Sequence, residues 1–394
     1  MKIAFFGSFY PRIDRLSTTS IGLTYLFGNV SDVEEVTVYG PTNSRIPSNF
    51  PAIVNLNAVW EYDDISSFLR ALKIMFNDRK KYDVFFFNLI LTSFGKRGSS
   101  NAFGLLIPVI FSFLSRKRVI VYLHHLVETQ DIASLGYGGR KLSTAIARLI
   151  ERLILVSTQV IVPLPSHQKR IGTIVKRVPL QFVFPGLEGI WAYRNYLTIN
   201  NSSRTSGNIG IRILIFGAFG PQKDIAQVLK IIDSSREKIG AFHVTLAGSI
   251  NSNFPNYERE VEKILADFDK GNLTLIRNPV EEEVPDLFIN ADLLLLPYKA
   301  AGGYSAVMNI AQLYCLRILC YDNNDLRIFS DLIESDAKFV DISDPDKIIN
   351  ELKGFVWTPR ILVDSEIMMK SNIQKINEVF NVVRNSSQNR RGKL

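Results

Sequence analysis

The sequence predicts an α/β protein made of two doubly wound, Rossmann-like parallel sheets. Three observations carry this expectation. The chain has 394 residues, enough for two domains at roughly 100–200 residues each. Short apolar runs alternate with longer stretches of helical period through both halves, the pattern of strands covered by helices on both faces. A polar stretch, Asn200-Asn201-Ser202-Ser203-Arg204-Thr205-Ser206-Gly207-Asn208, interrupts the alternation at mid-chain. The expected domains are therefore residues 1–205 and 206–360. A C-terminal helix and tail, 361–394, is expected to pack back towards the first domain.

In order along the first half, strands are expected over 2–6, 35–39, 83–89, 119–123, 160–163 and 181–184. Helical segments are expected over 65–76, 103–114, 140–156 and 165–171. The second half repeats the plan. Strand 211–216 leads to helix 223–235, strand 243–247 to helix 257–268, and strand 273–276 to helix 281–290. Strand 293–297, the segment 305–314, strand 317–321 and a helix from about Leu326 follow. Residues 367–383 again read as helix. Sheets of this kind bind ligands beyond the carboxyl ends of their strands, so the expected site is a cleft faced by both domains.

Composition excludes several classes of function. With 46% hydrophobic and 11% aromatic residues, the chain is no disordered segment. Two cysteines, Cys315 and Cys320, cannot form a disulfide framework or a four-cysteine metal site. The four histidines, 124, 125, 167 and 243, show no H-E-x-x-H spacing, which argues against a zinc hydrolase. The first strand is followed by Gly7-Ser8-Phe9-Tyr10-Pro11; neither half carries G-x-G-x-x-G there, and G-x-x-x-x-G-K-[ST] is absent. NAD enzymes and P-loop NTPases are thereby disfavoured.

The start, Met1 to Gly7, reads as a buried strand rather than a signal peptide, so a cytoplasmic protein is expected. The longest apolar run, 103–114, contains Pro108 and is shorter than the roughly 18–20 residues that span a bilayer. Basic residues flank it, so it reads either as an interfacial segment or as a buried helix with charged ends.

Charge is divided unevenly. Residues 1–205 carry 24 Lys and Arg against 13 Asp and Glu, a net +11, while residues 206–394 carry 22 against 25, a net −3. A basic half implies an anionic partner. No zinc finger, RNP motif or basic recognition helix supports nucleic acid, which leaves an anionic membrane or a phosphate-bearing acceptor.

Two loops carry the chemistry. The first is Phe216-Gly217-Ala218-Phe219-Gly220-Pro221-Gln222-Lys223-Asp224. Its glycines permit close approach of the backbone to a ligand. Lys223, read as opening a helix, adds a positive charge where free N–H groups already favour an anion. The second is Pro297-Tyr298-Lys299-Ala300-Ala301-Gly302-Gly303-Tyr304-Ser305-Ala306-Val307, glycines and a small polar residue before a helix, a backbone cradle for phosphate. Together they imply a diphosphate ligand. A turn with a solvated lysine and a glycine-rich turn without a ligand are the plainer alternatives.

In these loops the chain resembles the GT-B-fold glycosyltransferases of family 4, which are retaining and use nucleotide sugars. Gly217 and Lys223 match that family's Gly-Arg-x-x-x-x-Lys-Gly pattern, while its arginine falls on Ala218 and its second glycine on Asp224. Residues 277–288 with Ala291-Asp292-Leu293 and Pro297-Tyr298 resemble its nucleotide-binding run. The two glutamates of its E-x7-E motif fall on Gly303 and Ala311. His124, after a strand, aligns with a histidine often found at the family's catalytic site, and Gly7 and Ser8 lie where its first loop approaches the donor.

The resemblance implies a GT-B architecture and transfer of a sugar from a nucleotide diphosphate, with retention, to a lipid-linked glycan or envelope glycan precursor. His124 and Lys223 are the implied catalytic residues. Gly7, Ser8, Gly217, Lys223, Arg277, Gly303, Tyr304, Ser305, Ala306 and Val307 are the implied donor contacts. No metal or other cofactor is expected, since Lys223 and helix N-termini would meet the charge of the leaving diphosphate. The missing arginine and glutamates also fit a binding subunit that has lost turnover, and a sugar-nucleotide epimerase is a further alternative. The basic half is expected to rest peripherally on the inner face of a membrane, through Lys80, Lys81, Lys96, Arg97, Arg116, Lys117 and Arg118.

Overall fold

The computed structural model describes residues 1–11, 15–127, 141–175, 179–199, 210–250, 254–299, 304–341, 344–356 and 362–391. The chain divides into two compact units, Met1–Trp191 with Glu366–Leu394, and Ala192–Ser365. The boundary expected near residue 205 lies outside the described residues.

The sheet of the first unit has seven strands: β1 (Lys2–Phe6), β2 (Glu35–Pro41), β3 (Val54–Trp60), β4 (Val84–Leu89), β5 (Arg118–Leu123), β6 (Gln159–Val162) and β7 (Leu180–Gln181). All pairings are parallel, in the order β3-β2-β1-β4-β5-β6-β7. Helices α1 (Arg15–Phe27), α2 (Ile65–Asp78), α3 (Gly98–Ser115), α4 (Lys141–Ser157) and α5 (Pro165–Ile174) follow or connect these strands, and most of α6 (Ile190–Ile199) belongs to the second unit. The order reverses between β1 and β4, the switch point where such sheets take ligands.

Apolar side chains explain why these runs become central strands. In β1, Ile3, Ala4, Phe5 and Phe6 are all buried, and the Phe5 ring stacks on Phe86 of β4 at 5.7 Å. Helix α1 breaks the usual sequence pattern, because Ser17, Thr18, Thr19 and Ser20 are buried. It seats tightly: a Cβ on Gly22 would lie 2.0 Å from the Leu187 carbonyl oxygen.

Among the described residues, α3 is the one helix long and apolar enough to cross a membrane. Its Leu105, Ile107, Val109 and Phe111 lie in the hydrophobic core of the first unit, so this face packs within that unit. It begins at Gly98, five residues before the expected start.

The second unit holds β8 (Ile211–Phe219), β9 (Phe242–Ile250), β10 (Leu273–Arg277), β11 (Leu293–Leu296), β12 (Arg317–Tyr321) and β13 (Ala337–Val340). They too are parallel, ordered β10-β9-β8-β11-β12-β13. Helices α7 (Ile225–Ser234), α8 (Arg236–Ile239), α9 (Pro255–Asp267), α10 (Val284–Asn290), α11 (Ala306–Leu313), α12 (Asn324–Ile333) and α13 (Pro345–Lys353) lie between or after them. The last helix, α14 (Ser365–Arg391), packs on the first unit: Asn372 Nδ2 donates to the Pro185 carbonyl at 2.8 Å, and Lys375 Nζ to Val183 at 3.0 Å. Both sheets thus have the doubly wound order that the sequence predicts.

Two local expectations are corrected. Strand β8 continues through Gly217 to Phe219 instead of ending at Phe216. It pairs with β9 over nine residues, including Gly217 with Gly248. This close pairing needs glycine at 248, where φ is +148° and a Cβ would stand 1.9 Å from the Gly217 carbonyl oxygen. The following helix begins at Ile225, so Lys223 precedes it instead of forming its first turn.

Candidate functional site

In the second unit the site lies at the switch point between β8 and β11. These strands pair only at Ile213 and Leu214, so their carboxyl ends are free to part. The chain beyond each strand then stitches to the other. Asp224 N–H donates to the Pro297 carbonyl at 2.7 Å, Lys299 N–H to the Gln222 carbonyl at 3.0 Å, and Lys223 forms an antiparallel bridge with Tyr298. The result is a fixed platform and not a free loop.

Lys223 is 8% exposed. Its Nζ stands 4.7 Å from the centroid of the Tyr298 ring, an electrostatically favourable seat for an ammonium. The neighbouring acid is occupied elsewhere: Asp224 Oδ2 pairs with Lys299 Nζ at 2.7 Å. Tyr257 locks the turn from α9, donating to the Lys223 carbonyl at 2.5 Å and accepting from Ile225 N–H at 3.2 Å. Burial pushes its hydroxyl up to about 12, so it remains a neutral donor.

Gly217 joins this lysine to the second loop. Its φ is +117°, and a Cβ there would stand 3.2 Å from Lys223 Nζ and 3.4 Å from Val307 Cγ2. The ammonium and the first turn of α11 therefore converge on one glycine. Ser305 is the N-cap of α11, its Oγ accepting from Met308 N–H at 3.2 Å. Ala306 and Val307 begin the helix, and both are buried. Tyr304 is buried too, its ring 5.1 Å from Phe329. Gly303 lies outside the described residues. Chemically this is a lysine ammonium beside a capped helix N-terminus, an arrangement that favours an anion.

Arg277 stands apart from this cluster. It ends β10, in register with Gly248, and its guanidinium pairs with Glu262 at 3.0 Å. In the acidic run that follows, Glu283 accepts from Val280 N–H at 2.9 Å and so caps the 3-10 turn Glu281–Glu283.

The first unit has its own polar cluster at its switch point. His124 is fully buried, its Nε2 2.5 Å from Asn88 Oδ1, its ring centroid 4.3 Å from that of Tyr122. Asn88 Nδ2 donates to Ser20 Oγ at 2.9 Å. A Cβ on Gly7 would stand 3.0 Å from the same Ser20 Oγ, so Gly7, Ser20, Asn88 and His124 form one group. Ser8 Oγ lies 2.5 Å from Tyr62 Oη.

Sequence reasoning placed Tyr298 in the second loop without a role, and missed Tyr257, Gly248, Asn88 and also Glu188, a buried carboxylate that accepts from Thr19 Oγ1 at 3.1 Å. Lone tyrosines, asparagines and glutamates in apolar runs carry no spacing signal that would mark them.

Among the basic residues expected to face a membrane, Lys81 and Lys117 show engagement within the unit. Lys81 pairs with Asp78 at 2.6 Å, and Lys117 Nζ donates to the Tyr82 carbonyl at 2.9 Å.

No protein-family profile matches the chain, and no curated protein matches it. Solved structures do. Sucrose-phosphate synthase from Thermosynechococcus elongatus aligns with TM-score 0.65 at 14% identity, over 100% of this chain and 98% of that one. HepE of Anabaena, solved with UDP and glucose, aligns with TM-score 0.61 at 13% identity over the whole of both chains. A putative UDP-N-acetylglucosamine 2-epimerase from Listeria monocytogenes aligns with TM-score 0.52 at 11% identity, over 89% and 87%. These likenesses establish a fold, two Rossmann-like domains of GT-B type, and at such identities the site must speak for function.

Proposed function

We propose that this chain is a glycosyltransferase that moves a sugar from a nucleotide diphosphate donor to an acceptor. The second unit holds the donor, and the basic first unit takes the acceptor, a lipid-linked or envelope glycan precursor. The carrying observation is the convergence of Lys223 Nζ and Val307, at 3.2 and 3.4 Å, on the point where Gly217 lacks a Cβ. A diphosphate placed there would meet an ammonium on one side and the α11 N-terminus, with its Ser305 cap, on the other. As the glycosidic bond of the donor breaks, negative charge grows on the leaving diphosphate. Fixed positive groups stabilise that charge more than the ground state, which is what accelerates the step.

By resemblance to family 4 the anomeric configuration is retained, and the leaving phosphate accepts the acceptor's proton on the same face of the sugar. His124, with Gly7 and Ser8, is the first unit's contribution, held through Asn88. The ammonium and the helix end supply charge that a divalent ion would otherwise bring, so the reaction runs without one. UDP is the first nucleotide to try, given the UDP-bound HepE.

A panel of UDP, ADP, GDP and TDP sugars, with titration calorimetry for binding and product analysis for turnover, tests this reading. Transfer to a lipid-linked or glycan acceptor that persists in a chelator supports it. Conversion of the donor sugar with no acceptor present identifies an epimerase, the activity named for the Listeria structure. Donor binding without any turnover identifies an inactive binding subunit, the reading favoured by Ala218 and Ala311 at the family's arginine and glutamate positions.

A further inference from the structure

The α4 helix is apolar on both sides. Its inner side places Ile150, Ile154 and Leu155 in the core of the first unit. On its outer side Leu142 is 70% exposed, Ile146 43%, Leu149 58% and Val156 59%. With the half-buried Leu153, these follow a spacing of four, three, four and three residues, which is one continuous stripe on a helix.

The stripe widens at the C-terminal end. There Ser112 Oγ of α3 donates to the Ser157 carbonyl of α4 at 2.8 Å. The next residues of α3, Phe113 and Leu114, are 69% and 58% exposed. Six large apolar side chains are thus open to solvent on two bonded helices, more than the isolated exposed leucine that needs no explanation.

Charge identifies the occupant. Lys141, Arg148 and Arg152 are exposed along one flank of the stripe, and Arg116 is exposed just beyond Leu114. The single acid of α4, Glu151, is turned inward, 5% exposed, and accepts from Val127 N–H at 2.6 Å. A second copy of this helix would bring like charges together along the flank, where paired helices set opposite charges. An apolar stripe whose exposed charged neighbours, among the described residues of α4, are cations complements an anionic bilayer surface.

We infer that the outer face of α4, with the end of α3, docks the first unit on an anionic lipid bilayer. The side chains of Leu142, Ile146, Leu149, Val156, Phe113 and Leu114 enter the acyl boundary, and the arginines meet lipid phosphates. The helix lies in the plane of the surface and does not span it. This inference stands apart from the transferase reading, since bilayer binding requires no donor.

The test is sedimentation of the full chain with phosphatidylglycerol or phosphatidylcholine vesicles at low and high salt. The wild-type chain should bind the anionic vesicles and bind the neutral ones far less. Leu142→Ser with Leu149→Ser should weaken binding to anionic vesicles about tenfold or more, because two inserted leucines are lost. Its thermal midpoint should stay unchanged, since both positions are exposed. Arg148→Gln with Arg152→Gln should weaken binding at low salt and reduce its salt dependence. Val356→Ser, at an exposed apolar residue of the second unit, should bind as the wild type does.

A Leu149→Trp variant gives an independent readout: brominated lipid should quench its added emission. Any one of the following results would overturn the inference. These are equal vesicle binding by the wild type and the double serine variant, no quenching at position 149, or a dimer in ultracentrifugation that the double serine variant dissolves. Sugar transfer from a nucleotide donor with no vesicle binding would overturn this inference and leave the transferase reading standing.

Discussion

Single residues set the geometry of the proposed donor cradle, and two glycines show how. Gly248 and Gly217 pair across β9 and β8, both at positive φ. A methyl group at 248 would collide with the Gly217 carbonyl at 1.9 Å, so Gly248→Ala should destabilise the second unit by about 3 kcal/mol or more, strain and clash adding. At 217 the nearest atoms are Lys223 Nζ and Val307 Cγ2, at 3.2 and 3.4 Å. Gly217→Ala should therefore cost only about 1–2 kcal/mol of stability from its backbone, while displacing the ammonium. Chemical denaturation paired with donor binding separates the two: stability falls most at 248, and binding per folded molecule falls most at 217. The sequence made Gly217 and Lys223 visible, because a glycine six residues before a lysine after a strand is a legible pattern. It could not show that Gly217 lies within the strand, since that depends on Gly248, 31 residues away.

The N-terminus of α11 is usable for an anion because Ser305 caps it, accepting from Met308 N–H. Ser305→Ala should lower stability by about 1 kcal/mol and weaken donor binding as the first turn loosens. Ser305→Asp keeps a cap but adds a negative charge beside the diphosphate. It should retain stability yet bind donor more weakly than the alanine variant, and a calorimetric comparison of the pair checks this. Which elements were legible follows the same physics. Central strands such as β1, β4, β8 and β11 announce themselves as apolar runs because both faces are covered. The overlooked strands, β3 and β13, are sheet edges, where Asn55, Asn57 and Lys338 interrupt the apolar pattern, as edge strands require. Helix α1 was missed because its buried face is made of serine and threonine, so its period is invisible to hydropathy.

At the scale of the whole molecule, both units bury tyrosines whose hydroxyls are held up chiefly by desolvation. Tyr39 and Tyr122 lie in the first unit, Tyr193, Tyr257, Tyr314 and Tyr321 in the second. In the unfolded chain these groups ionise near pH 10, whereas folded they keep their protons to higher pH. Between those limits the unfolded state holds fewer protons, so stability falls as pH rises. Below about pH 10 both states are protonated and these groups add no pH dependence. An alkaline titration followed by tyrosinate absorbance should leave these six silent until the chain unfolds, then show them in one step. Smooth ionisation of all 14 tyrosines near pH 10 would contradict the burial described. The two-domain plan was legible from the repeated alternation of strand and helix, but the return of α14 to the first unit rests on long-range bonds to Pro185 and Val183 that no local pattern encodes.

Lys223, seated over Tyr298 and beside the α11 N-terminus, is proposed to hold the donor's diphosphate. Titration calorimetry of UDP, or of whichever nucleotide the donor panel identifies, into wild type, Lys223→Met and Lys299→Met measures this directly. Lys299 is the control, because its charge is spent on Asp224 at 2.7 Å. Loss of a charged hydrogen bond should weaken binding of the nucleotide to Lys223→Met about ten- to hundredfold. Lys299→Met should change it little, and the free nucleoside should bind all three alike. Wild-type affinity in Lys223→Met for the diphosphate would contradict the account.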